Sequence, residues 1–154
     1  MKKEVINRLK IVFDAVSENE ALARTVVTAF CAAMDVTLSE LSDVRCAVSE
    51  AVTNAIVHGY GAGKARGSVT LLATLYGDRS VKIVIRDSGV GIADIAVAMQ
   101  PLYTTDKSGE RSGMGFAVMQ SFMDEVRVKS RVGGGTSVEL KKRFSPLPSK
   151  EAAL

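Results

Sequence analysis

The chain has 154 residues, 47% of them hydrophobic and 24% charged, with a formal net charge of +3. That length suits one domain with a substantial core, and the near-average composition excludes a disordered chain or a membrane class. The basic residues are scattered, which gives no electrostatic footprint for nucleic acid.

From Val5 to Val16 the odd positions Val5, Leu9, Ile11, Phe13 and Ala15 are apolar, with Asn7 as the lapse, so a first strand is expected. Ser17-Glu18-Asn19-Glu20 has the form of a capping box, in which the serine covers one orphan amide and the glutamate reaches back to another. Losing such a cap costs on the order of 1 kcal/mol. The helix it opens runs to about Met34, with Leu22, Val26, Ala29, Phe30 and Ala33 inward. Cys31 and Cys46 sit in helical apolar patterns without metal-like spacing, as buried thiols of a reducing compartment would. The start Met-Lys-Lys leads into no apolar run of leader length, so the cytoplasm is the expected location.

Asp35-Val36 breaks the helical pattern, and Thr37-Leu38-Ser39-Glu40 is a second capping box, launching a helix that Gly59 ends. Leu41, Val44, Val48, Ala51, Val52 and Ala55 gather on one face of it. Glu50, Asn54 and His58 fall on a neighbouring stripe, stacked one turn apart by i, i+4 steps. A carboxylate there can accept a proton, and an amide oxygen can bind a hard cation. Taken alone, the stripe reads as the solvated flank of an amphipathic helix.

Gly59 to Gly67 is a loop whose Gly63-Lys64 invites a P-loop reading. That reading fails, because His58 and Ala65 stand where its first glycine and closing Ser/Thr belong. Val69 to Tyr76 and Val81 to Asp87 read as strands joined through Gly77-Asp78. A short helix is expected from Ala93 to Gln100, ended by Pro101. Leu102 to Ser112 is polar and reads as a mobile loop able to close over a ligand. Gly115 to about Glu125 is helical again, with Phe116, Met119, Phe122 and Met123 on one side as core. Val126 to Val132 and Thr136 to Phe144 flank Gly133-Gly134-Gly135 as a closing hairpin, and Ser145 to Leu154 is a frayed tail. The order implies an α+β class protein: a two-layer α/β sandwich with helices on one face of a mixed, mostly antiparallel sheet. Residues 1–144 make the domain and 145–154 a flexible tail, without internal repeats.

Two further signals join the Glu50 stripe. Asp87-Ser88-Gly89-Val90-Gly91-Ile92 follows a strand; its carboxylate is acceptor-only and selects an amino donor such as the adenine amine, while Gly89 and Gly91 let backbone approach a ligand. A dinucleotide-binding turn is the rival, but Asp94 stands where that fingerprint wants a third small residue, and the early βαβ unit is missing. Arg111-Ser112-Gly113-Met114-Gly115-Phe116 opens a helix, where free amides and the helix dipole suit phosphate. Alone it would be a plain loop-to-helix junction. With Asp87 and Asn54 it completes a nucleotide site, with adenine at one end, phosphates at the other and a metal between.

Glu50-x-x-x-Asn54, Asp87-x-Gly89-x-Gly91 and Gly113-x-Gly115 resemble the N, G1 and G2 boxes of the ATP-binding fold shared by gyrase, histidine kinases and the mismatch-repair ATPase. The fuller strings Ser49 to Tyr60, Gln100 to Thr105 and Glu110 to Phe116 resemble the sporulation anti-sigma-F factors, a family of serine-protein kinases. The likeness extends to about Phe144 but not to the loop Gly61 to Gly67 or the tail.

The resemblance implies ATP or ADP with Mg²⁺. Asn54 would hold the metal, and Asp87 the adenine amine, with Thr136 helping through a water. Gly89, Gly91, Gly113, Met114 and Gly115 would shape the pocket, and Thr104, Thr105, Arg111 and Ser112 would meet the phosphates or the phosphoryl acceptor. Glu50 would take the proton of a substrate serine. His58 is read as packing or as support for a neighbour instead of catalysis. Arg24 matches the family's sigma-binding arginine. The implied partners are a sigma-F type sigma factor, an anti-anti-sigma protein substrate and a second copy of the chain, with no direct nucleic acid and no membrane. Three alternatives stay open: a related kinase of a stress-response sigma factor, a stand-alone histidine-kinase-type domain whose acceptor lies on another chain, and a nonenzymatic nucleotide sensor.

Overall fold

Residues 3–61, 66–100 and 115–148 are described by the computed structural model. In chain order the elements are β1 (Val5–Asp14), α1 (Glu18–Ala32), α2 (Leu38–Asn54) continued by a π turn (Ala55–Gly59), β2 (Ser68–Tyr76), β3 (Ser80–Asp87), α3 (Ile95–Ala98), α4 (Gly115–Phe122), β4 (Glu125–Arg131) and β5 (Gly135–Arg143). The strands form one sheet in the order β1-β2-β3-β5-β4. All four pairings are antiparallel, so the expected two-layer sandwich holds, while its sheet is not mixed.

Period-two alternation decides which face is covered. Val69, Leu71, Ala73 and Leu75 of β2, Val81, Ile83 and Ile85 of β3, and Val138 and Leu140 of β5 are buried. They meet Val44, Val48, Ala51 and Val52 of α2 and Phe116 and Met119 of α4 in a single core. Each fully buried aliphatic side chain contributes about 1.5–3 kcal/mol, against roughly 0–1 kcal/mol for a surface ion pair, so this core and not the Lys and Glu pairs of β4 and β5 sustains the sheet.

Several local expectations are corrected. Ser17 caps nothing: it has helical angles (φ −58°, ψ −32°) and makes no capping bond, since a cap needs an extended residue. The amides of Asn19 and Glu20 go instead to the carbonyls of Val16 and Ser17. Thr37 is extended, and its box with Glu40 forms in both directions, at 3.1 and 3.0 Å. On α1 the inward stripe is Ala23, Val27 and Cys31, while Leu22 is 52% exposed and Ala29 and Ala33 face solvent. Cys31 and Cys46 are free thiols, and burial pushes that of Cys31 up to about 12.

The β2–β3 turn has three residues, not two, with Arg79 in the left-handed region (φ +65°). Helix α3 is shorter than expected because Asp94, the residue that breaks the dinucleotide fingerprint, caps it at Val97 N. Ser145 is anchored to Glu40 through its amide and hydroxyl, both at 2.7 Å.

Candidate functional site

Three element ends converge at one edge of the helical layer. Glu50 and Asn54 lie in the last turns of α2, and Gly115 begins α4 directly against them. A Cβ on Gly115 would stand 3.2 Å from Glu50 Oε2 and 3.3 Å from both side-chain heteroatoms of Asn54. A carboxylate and an amide therefore share one small space with the start of a helix whose first amides carry partial positive charge. That is a place for an anion with a cation beside it.

After Asn54 the α-helix widens into the π turn, a feature that clusters at functional sites. Its hydrogen bonds skip one residue further, and His58 lies in its last turn. The turn instead carries Gly59 to the exit of β3. There the carboxylate of Asp87 lies against it, 3.0 Å from where a Cβ of Gly59 would be.

Asp87 is the last residue of β3 and pairs with Thr136 of β5. Burial pushes its carboxyl above the ordinary range, a trend opposed by backbone hydrogen bonds from Gly89 and Thr136. Gly89 N donates to Oδ1 at 2.9 Å. A side chain on Gly89 would collide with the Gly59 carbonyl, and one on Gly91 with the Arg131 carbonyl; Gly91 also has φ +77°. Val90 N bonds Gly59 O at 3.1 Å, and Gly133 N bonds Val90 O at 2.9 Å. The glycine-bearing junction is thus gripped between the π turn and the β4–β5 hairpin.

Ser130 extends the grip: its Oγ accepts from Ile92 N at 2.7 Å and lies 2.8 Å from Thr136 Oγ1. Sequence reasoning missed Ser130 and the structural part of Gly59. Nothing around Ser130 in the sequence points to it, whereas Gly59 was readable only as a helix end.

Of the expected site residues, Glu50, Asn54 and Gly115 come together, as do Asp87, Gly89, Gly91 and Thr136. Arg24 stands apart on α1, 3.7 Å from Glu20, whose carboxylate also accepts a hydrogen bond from Ser49, the neighbour of Glu50. Thr104, Thr105, Arg111, Ser112, Gly113, Met114 and the polar segment 102–112 lie outside the described residues.

The family model of the histidine kinase-like ATPase domain matches residues 13–142. The anti-sigma F factor of Clostridium acetobutylicum is 48% identical over 139 residues, covering 90% of this chain and 95% of that one. The anti-sigma F factor of Priestia megaterium is also 48% identical over 139 residues, covering 90% and 94%. The chain belongs to the anti-sigma F factor family. Among solved structures, the RsbU and RsbW domains of a Mycobacterium tuberculosis protein superpose with a TM-score of 0.64 at 25% identity, over 90% of this chain and 32% of that one. The mycobacterial sensor histidine kinase MprB, at 16% identity, covers 90% of this chain and all of its own with a TM-score of 0.55, which shows the shared fold alone.

Membership of the anti-sigma F family makes this an anti-sigma factor built on a kinase-type ATPase domain, and that fold implies a nucleotide site. The meeting of Glu50, Asn54 and Gly115, joined through the π turn to Asp87 beside Gly59, is where such a site would be. Among the described residues no helix is long and apolar enough to cross a membrane.

Proposed function

We propose that this anti-sigma F family member is an ATP-dependent serine-protein kinase that also holds a sigma factor of the sigma-F type. Its substrate is a serine on the anti-anti-sigma antagonist, and it works as a homodimer in the cytoplasm. Residues 1–144 are the ATP-binding kinase domain, and Ser145 just beyond it is held by Glu40 and Arg79, so the expected tail does not begin there. The observation that carries the reading is the approach of Gly115 to Glu50 and Asn54, which sets a proton acceptor and a cation ligand beside a helix N-terminus.

In this reading Asp87 receives the adenine amine at the other end of the cleft. Glu50 accepts the hydroxyl proton as the serine oxygen bonds to the γ-phosphorus; the bond from that phosphorus to the β–γ bridging oxygen breaks, leaving ADP and phosphoserine. Positioning and charge neutralisation do most of this work, so one carboxylate suffices as base. Thr104, Thr105, Arg111, Ser112, Gly113 and Met114 would meet the phosphates.

The donor set fits Mg²⁺. No cluster of three acidic, His or Cys side chains able to hold a metal is found among the described residues. Mg²⁺ on a nucleotide needs none, because phosphates and water fill most of its shell and one or two protein oxygens complete it. Asn54 Oδ1 supplies one. Bound there, the ion would neutralise phosphate charge.

Arg24 is the partner-binding residue of this proposal. Its side chain is a third exposed on α1 beside Glu20, where a partner's carboxylate could replace that of Glu20.

The test is incubation with γ-labelled ATP, Mg²⁺ and the antagonist, followed by mapping of the labelled residue. Label on one antagonist serine, reduced about 10²–10⁴-fold by Glu50→Gln with ADP affinity retained, is the expected result. Equal labelling by the Glu50→Gln protein would remove Glu50 as the base, and no transfer to the antagonist would remove the kinase.

A further inference from the structure

The ladder between β2 and β3 ends at the pair Val69 and Asp87. One step further Ser68 and Ser88 stand opposite each other, yet they exchange no direct rung. The hydroxyl of Tyr60 occupies it: Ser88 N donates to Tyr60 Oη at 2.6 Å, and Tyr60 Oη donates to Ser68 O at 2.9 Å. Tyr60 follows the π turn and is 5% exposed. Its ring lies against Gly67, where any Cβ would overlap it.

The inserted hydroxyl holds the strands apart one residue beyond the base-binding carboxylate. Three successive amides then hang from fixed partners, Ser88 N on Tyr60 Oη, Gly89 N on Asp87 Oδ1 and Val90 N on Gly59 O. Two of those partners belong to the end of the π turn, so the helix bearing Asn54 sets the course of the chain past Asp87. A phenyl ring would fill the same volume, so packing alone does not require the oxygen. A buried hydroxyl with both of its partners satisfied is an exacting arrangement, since losing it strands an N–H and a carbonyl.

We propose that Tyr60 is a positioning residue for nucleotide recognition, its hydroxyl replacing a ladder rung so that the Asp87 carboxylate is aimed at the base amine. The inference rests on the reading of Asp87 as the adenine receptor. Tyr60 touches no substrate itself; it acts through Ser88 on Asp87.

The test compares Tyr60→Phe and Asp87→Asn with the unaltered chain, using ADP calorimetry and kinase assays with ATP and GTP. For Tyr60→Phe we expect the ADP Kd and the KM for ATP to rise about tenfold with kcat within twofold, the ATP-over-GTP preference to fall to a similar extent, and hydrogen exchange at the Ser88 amide to speed up. The base preference is a ratio and does not depend on the folded fraction, so a partly unfolded variant still decides the matter. Unchanged KM and base preference in Tyr60→Phe, with Asp87→Asn impaired, overturns this inference alone. Unchanged ADP binding in Asp87→Asn overturns the adenine reading and this inference with it.

Discussion

Gly115 and Asn54 meet across the junction of α2 and α4 so closely that a single methyl group on the glycine would reach 3.3 Å from both the oxygen and the nitrogen of the amide. The contact brings the start of one helix to the polar stripe of another, and any side chain on the glycine would press on both polar groups.

Gly115→Ala should therefore separate folding from binding. Alanine favours a helix over glycine by up to about 1 kcal/mol, and the groups it would press on are ends of movable side chains. The expected outcome is a melting temperature equal to or slightly above that of the unaltered chain, with ADP affinity reduced about tenfold. Loss of both together would mean that the glycine serves packing and not the cleft.

Asn54→Ala addresses the cation directly. Calorimetry with ADP in the presence of Mg²⁺ or of a chelator should show the unaltered chain binding more tightly with the ion, because the amide oxygen completes its shell. The variant should bind ADP with nearly the same affinity in both conditions. An undiminished Mg²⁺ effect in the variant would take the metal away from Asn54.

These variants concern features that the sequence announces, and others were hidden for physical reasons. Asp87 was legible because a strand pattern stops at it and two glycines follow. Ser17-x-x-Glu20 and Thr37-x-x-Glu40 have the same form, yet only the second closes into a box: Glu20 is drawn away by Ser49 and Arg24, partners that no local pattern reveals. Leu22 lies exposed because α1 turns Ala23, Val27 and Cys31 inward, a choice among nearly equivalent apolar stripes that close packing on α2 makes. The π turn leaves no periodic mark in a five-residue stretch, so the turn itself and the insertion of Tyr60 between β2 and β3 emerge only in three dimensions.

Arg79 gives a prediction about stability. From its left-handed backbone position (φ +65°) the guanidinium donates to Met34 O at 2.9 Å, Asp35 O at 3.3 Å and Ser145 O at 2.9 Å, tying the α1–α2 connection and the stretch just after β5 to the β2–β3 turn. Arg79→Ala loses those bonds and keeps the unfavourable φ, so a loss of about 2 kcal/mol in urea unfolding is expected. Arg79→Gly loses the same bonds but relieves the backbone, and should recover roughly 1 kcal/mol of that. A glycine variant no more stable than the alanine one would show that the turn carries no strain.

The acid limb of the stability curve should bear the signature of Glu40. Desolvation pushes its carboxyl up, but hydrogen bonds from the side chain and backbone of Ser145 and from Thr37 outweigh it and bring the value to about 2 from an ordinary 4.5. The folded chain thus holds this proton less tightly than the unfolded chain. The stabilisation is fully present above pH 4.5 and is lost as pH falls toward 2. Asp78, held below the usual carboxylate range chiefly by Ser80, against burial, and also by Arg143 and Lys3, acts in the same direction. Urea midpoints measured from pH 7 to pH 2 should show Glu40→Gln less stable than the unaltered chain at neutrality, with the gap closing through that acid window. Parallel curves would mean that the Glu40–Ser145 contact does not hold the end of β5 to the start of α2 in solution.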